Sequence, residues 1–233
     1  MNRSSTPRLL VLTFAFLAIV LLWDLSGLDL PLARLAATPH GFPWRDSRAL
    51  LLVMHEGPRL LSWLLLFALF VAVRWPVGFL RQVDLPARLQ LAATVLVSVL
   101  AVSLIKSASS TSCPWDLAEF GGTARHVSHW AWGVADGGPG RCFPAGHASA
   151  AFAYLGGWFA LRTGAPVAAR RWLAVAIVVG FALGLGQQWR GAHYMSHTLW
   201  TAWVCWAVGL VIDLGVQAVR RQRARAGLAV VGN

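Results

Sequence analysis

From Leu9 to Trp23 the chain carries no charged residue, and the pattern returns over Leu60–Val73, Leu89–Ile105, about Ala145–Leu161, Trp172–Trp189 and about His197–Ile212. Apolar runs of this length, parted by short arginine-bearing segments, read as membrane-crossing helices. The Leu60–Val73 run, bracketed by Arg59 and Arg74, is shorter than the roughly 20 residues of a full crossing and must borrow from its flanks. Only 12% of the residues are charged and 57% are hydrophobic, whereas a soluble domain carries roughly twice that charged share. The expectation is an all-α, polytopic membrane bundle of six transmembrane helices, forming a single domain over residues 1–233.

Arginines orient the bundle. Arg3 and Arg8 precede the first run, and no small-residue cleavage pattern follows it, so it is expected to remain as an uncleaved first helix. With both termini inside, the inner segments hold Arg3, Arg8, Arg74, Arg81, Arg88, Arg162, Arg170, Arg171 and the tail arginines from Arg220 to Arg225, the larger share of the 20 basic residues. That bias fits a multi-pass protein of a bacterial-type inner membrane. The net charge of +11 is spread between apolar spans. It therefore suits lipid headgroups as partners, and nucleic acid is not expected. The outer loop Pro39–Pro58 has room for a short interfacial helix at Ala49–Met54.

Polar residues cluster where the spans end. The stretch Gln187–Trp200 reads QQWRGAHYMSHTLW, with Arg190 three residues before His193 and His197 four residues after it. Four residues are about one helical turn, so on a helix both imidazoles share a face. Interfacial anchoring accounts for Trp189 and Arg190 but requires no such pair of histidines. Lys106, the only lysine, closes the third run, and His147 opens the fourth. In the six-span topology all of these lie at one depth on the outer, periplasmic face. Lysine, arginine and three imidazoles gathered there can bind an anion and move protons.

Three fragments carry a family resemblance: Lys106, six residues, Cys113-Pro114; Pro144-Ala145-Gly146-His147; and Gly186-Gln187, five residues, His193, three residues, His197. They resemble the three-part pattern of the type 2 phosphatidic acid phosphatases, or lipid phosphate phosphatases, which share a site design with vanadium haloperoxidases. That pattern is K-x6-R-P, P-S-G-H and S-R-x5-H-x3-D, and the resemblance covers about residues 106–201. It implies that His193 attacks phosphorus to form a phosphohistidine. It implies too that His147 protonates the leaving oxygen and then activates water, and that Lys106 and the Gly146 N–H hold phosphate oxygens. Neither cofactor nor metal is implied. The physical logic is that preorganised cations stabilise a transferring phosphoryl group, and two imidazoles supply nucleophile and acid near neutral pH.

The chain departs from the pattern at five places. Cys113 and Gln187 stand where the pattern has arginine, Ala145 and Gly186 where it has serine, and His197 where it has aspartate. Ala145 and Gln187 keep their places among the expected phosphate-binding residues, and Arg190, one turn beyond Gln187, and Arg141 or Arg125 from the loop are candidates to supply the missing cations. His197, or a loop carboxylate among Asp116, Glu119 and Asp136, would orient the nucleophile. Cys113 and Cys142 flank two motifs that must converge, in a compartment that permits disulfides, and are expected to be bonded. The resulting expectation is a phosphatase for lipid phosphate or pyrophosphate monoesters, such as undecaprenyl pyrophosphate, phosphatidylglycerol phosphate, phosphatidate or lipid A phosphate. Alternatives are a lipid phosphotransferase of the same fold, a zinc site built from His193, His197, His147 and His126 or His129, and an inactive lipid-binding scaffold.

Overall fold

The computed structural model describes residues 5–231; Arg3 lies outside them. Helices α1 (Ser5–Ser26) and α2 (Asp29–Ala36) are followed by α3 (Arg48–Leu51), whose end widens into a π turn over Leu52–Glu56 and continues unbroken into α4 (Gly57–Arg74). Helix α5 (Leu85–Ala108) comes next, then the short α6 (Gly146–Phe152) and α7 (Gly157–Leu161), and finally α8 (Pro166–Trp189) and α9 (Met195–Val231). The expected interfacial helix at Ala49–Met54 is therefore the top of a longer rod, which supplies the length the Leu60–Val73 run lacks.

Local sequence explains the starts. Asp84 accepts the Ala87 N–H at 2.9 Å, with Pro86 in the first turn of α5; Pro166 opens α8 in the same way, where a missing N–H costs nothing.

Among the described residues, five helices are long and apolar enough to cross a membrane. The apolar run that starts at Ala145 behaves differently. It folds as α6, a 3₁₀ turn over Ala153–Gly156 and α7, and its side chains are almost wholly buried, with Ala148, Phe152 and Leu161 at 0% exposure. This run packs against α4, α5, α8 and α9 and forms the axis of the bundle. Small residues permit the close approach. A Cβ on Gly209 would stand 2.8 Å from the Gly156 Cα, and one on Gly180 would overlap the Phe152 ring. Outward faces carry Val11, Phe14, Leu61, Phe67, Val178 and Val211, all exposed. An apolar surface of this extent suits hydrocarbon rather than water.

Two polar knots fix the ends. At one end Asp24 of α1 accepts Trp200 Nε1 at 2.8 Å and Trp130 Nε1 at 3.1 Å, which clamps the Ser109–Ala145 loop to α1 and α9. At the other end Asp213 accepts Gln90 Nε2 at 3.1 Å, Arg162 Nη2 at 2.7 Å and Gln217 Nε2 at 2.6 Å, which ties α5, α7 and α9 together.

Candidate active site

The Pro144–His147 turn and the start of α9 are joined by main-chain bonds. Ala145 N–H donates to the His197 carbonyl at 3.1 Å, and the Thr201 hydroxyl donates to the Ala145 carbonyl at 3.0 Å. This registers His147 on His193: Nδ1 of the first and Nε2 of the second share a hydrogen bond of 3.0 Å. Lys106 reaches them from the end of α5 by lying across Gly146, where a Cβ would meet Lys106 Cδ at 3.4 Å and Cε at 3.5 Å.

His193, in the turn between α8 and α9, is 1% exposed. Burial, reinforced by the neighbouring His147, Lys106 and His197, holds its imidazole well below the usual histidine range and so keeps it neutral. The two imidazoles are in direct contact, with no space between them for a phosphate. Out of water, each ring nitrogen finds its best partner in the other. A phosphoryl group must part them, since a nitrogen engaged in that bond has no free lone pair for attack.

His193 Nδ1 faces Cys142 Sγ at 3.5 Å, and Cys142 is bonded to Cys113 with Cα atoms 5.2 Å apart, as the loop placement led one to expect. His197 does not hydrogen-bond His193; the rings are edge to face at 5.8 Å, and His197 Nδ1 is buried with no partner among the described residues. It turns instead into a pocket of about 130 Å³ shared with Asp24, Asp29, His126, His129 and Tyr194. The loop carboxylates are committed elsewhere. Asp136 accepts Ser112 N–H at 2.6 Å and Gly138 N–H at 2.9 Å, Asp116 accepts Cys113 N–H at 3.2 Å, and Glu119 pairs with Arg34.

Of the other residues expected to bind phosphate, Gln187 gives its Nε2 to the Met54 carbonyl at 2.8 Å, and the guanidinium groups of Arg190 and Arg125 are engaged as well. Arg190 donates Nε and Nη2 to the Arg45 carbonyl at 3.2 and 2.7 Å and Nη1 to Gln187 Oε1 at 3.2 Å. Arg125 Nη2 donates to the Ala135 carbonyl, and Arg141 is exposed, with φ of 57° and its N–H on the Ser109 carbonyl.

Two side chains that sequence reasoning passed over take part instead. His55 of the π turn stacks at a tilt on His147, ring centroids 4.4 Å apart, and Arg59 follows one turn later. Together with Lys106, Gly146 and His147 they line a cleft of about 390 Å³ between α4 and α5. The cleft is graded. Down α4 one face passes from His55 and Arg59 through Ser62 to Trp63 and Leu66, and the α5 wall passes from Lys106 through Ser103 to Val99. Among the described residues the one cluster of metal-type donor atoms is Cys113, Cys142 and His193, and the disulfide removes both thiolates from it.

The PAP2 superfamily model matches residues 87–221, a span that includes Lys106, His147 and His193. The chain belongs to the PAP2 superfamily. No curated protein and no solved structure gives a match. PAP2 membership carries phosphatase activity on phosphate esters in general, and with its apolar helices the chain is a PAP2 protein of a membrane. The matched span begins after α4, so the PAP2 part of the chain supplies one wall of the cleft and α4 supplies the other.

Proposed function

We propose that the protein is a multi-pass phosphatase that hydrolyses lipid phosphate or diphosphate monoesters at the outer face of a bacterial-type inner membrane, with His193 as nucleophile and no metal. The observation that carries this reading is the graded cleft. Its imidazole and ammonium end suits a phosphate, and its floor of Trp63, Leu66 and Val99 suits a hydrocarbon chain entering between α4 and α5. An ester of a water-soluble alcohol would have no use for that floor.

In this reading Lys106 and the Gly146 N–H hold the phosphoryl oxygens, offsetting the charge that spreads over them. The lone pair on His193 Nε2 attacks phosphorus. The P–O bond to the lipid breaks, its electron pair leaving on the lipid oxygen, which takes a proton from His147. Water then attacks the phosphohistidine, His147 accepts the water's proton, and the P–N bond breaks to release phosphate and regenerate His193. The Cys142 sulfur at Nδ1 and the packed ring of His197 fix the His193 plane, the task an aspartate performs in the family pattern. The topology in this proposal has six crossings, the Gly146–Leu161 run being the shielded one, with both termini inside.

Phosphate release from a panel of phosphatidate, phosphatidylglycerol phosphate, polyprenyl diphosphate and glycerol phosphate, with and without chelator, tests the reading. Turnover of the lipids but not of glycerol phosphate, unchanged by chelator, is expected. Equal turnover of glycerol phosphate contradicts the lipid assignment, and loss on chelation contradicts the metal-free one.

A further inference from the structure

The cleft holds two polar side chains for which the phosphoryl-transfer steps have no task. His55 Nδ1 is buried and has no hydrogen-bond partner among the described residues, and no carboxylate there forms an ion pair with Arg59. We propose that His55 and Arg59 form a second phosphate subsite, so that the substrate class is a lipid diphosphate and the product a lipid monophosphate. This rests on the phosphatase reading above and narrows it.

The segment bearing the pair is held in place by residues of the site itself. Gly57 closes the π turn, where a Cβ would stand 2.8 Å from the Leu52 carbonyl. Pro58 has no N–H, so the Met54 carbonyl four residues back lacks its helical donor. Gln187 Nε2 supplies one at 2.8 Å, and Arg190 grips the Arg45 carbonyl just upstream. Gln187 stands where the family pattern has an arginine. The exchange thus removes one cation from the site and anchors the segment that brings His55 and Arg59 to it.

Their position fits a second phosphate. His55 lies against His147, and Arg59 lies one turn closer to the apolar floor, between the reacting histidines and the place of the lipid chain. A cleft of 390 Å³ has room for roughly a dozen water-sized groups at about 30 Å³ each, more than one phosphoryl group, a phosphorus with its three oxygens, occupies. When His193 attacks the terminal phosphorus, the bond to the bridging oxygen breaks and its electron pair remains on the lipid monophosphate. A guanidinium at Arg59 stabilises that charge through hydrogen bonds in a plane. Water then releases inorganic phosphate from His193.

The test uses full-length protein in detergent with farnesyl diphosphate and farnesyl monophosphate, following kcat/KM and the products. Wild type is expected to favour the diphosphate by about tenfold or more and to yield the monophosphate. In Arg59→Gln and in His55→Gln the loss on the diphosphate is expected to exceed the loss on the monophosphate by about tenfold, the size of a charged hydrogen bond. Arg59→Lys should recover part of it, and His55→Gln carries the test should Arg59→Gln not fold. Equal losses on both substrates would put Arg59 on the transferred phosphoryl and overturn the subsite. A wild type indifferent to the second phosphate overturns it as well, leaving the phosphatase reading intact. Release from neither substrate removes both.

Discussion

Replacing Cys113 and Cys142 together by serine removes a cross-link between residues 29 apart in sequence. The folded loop keeps its other ties: Cys142 N–H on the Thr111 carbonyl at 2.8 Å, Arg141 N–H on the Ser109 carbonyl at 2.8 Å, and Asp136 on Ser112. A serine hydroxyl at position 142 can donate to the Ala192 carbonyl, now 3.0 Å from the sulfur, so no buried group loses its partner. The change therefore acts chiefly on the unfolded chain. For a loop of this length the chain-entropy relation gives about 3.6 kcal/mol at 25 °C. In a protein of this size each kcal/mol moves the midpoint by roughly 2–4 °C, so the melting temperature should fall by about 7–14 °C. The assay is thermal unfolding in detergent of wild type and double variant, each with and without reductant. Reduced wild type should melt with the variant, and reductant should leave the variant unchanged. A variant melting within about 2 °C of oxidised wild type would refute the reasoning.

Asp213→Ala leaves Arg162, Gln90 and Gln217 without their shared acceptor where α5, α7 and α9 meet, a loss of about 1–3 kcal/mol for a part-buried charged hydrogen bond left unmade; denaturant unfolding of the purified protein measures it. Because burial lowers the His193 pKa, the unfolded chain takes up that proton first. Stability is complete above the ordinary histidine value of about 6.5 and falls as pH drops through it toward the folded value. Melting temperatures from pH 8 to pH 5 should decline below about 6.5 in wild type and less steeply in His193→Gln; identical slopes would remove His193 from that balance.

Much of this was legible in the chain. Long uncharged runs declare helices, and Lys106, His147 and His193 each sit at a run's edge, so the fold could bring them to one depth and the family spacing could give them roles. Cys113 and Cys142 flank the same fragments, and their bond follows once those meet. The other wall of the cleft was not legible. Arg59 reads as a bracket of a span and His55 as a loop residue, because nothing in the family pattern reaches α4. The available signals were the spacing of four and the Gly57-Pro58 pair, which frees a carbonyl for Gln187. Arg190 was expected to face phosphate, yet spacing does not reveal which acceptor a guanidinium meets, and the Arg45 carbonyl lies 145 residues away in sequence. The carboxylate near His197 is likewise remote: Asp24 comes from the first helix and reaches His129 at 3.3 Å, not His193.

The most direct measurement of the central claim is covalent trapping. Full-length protein is incubated with a lipid phosphate labelled in its terminal phosphoryl group, quenched in base, where phosphohistidine survives, and digested for peptide mapping. The label should sit on His193. It should be absent from His193→Ala, which should also release no phosphate, and it should persist longer in His147→Ala, whose turnover should fall by roughly a hundredfold as the loss of a general acid and base dictates. Label on another residue, or phosphate release that survives His193→Ala, would contradict the account.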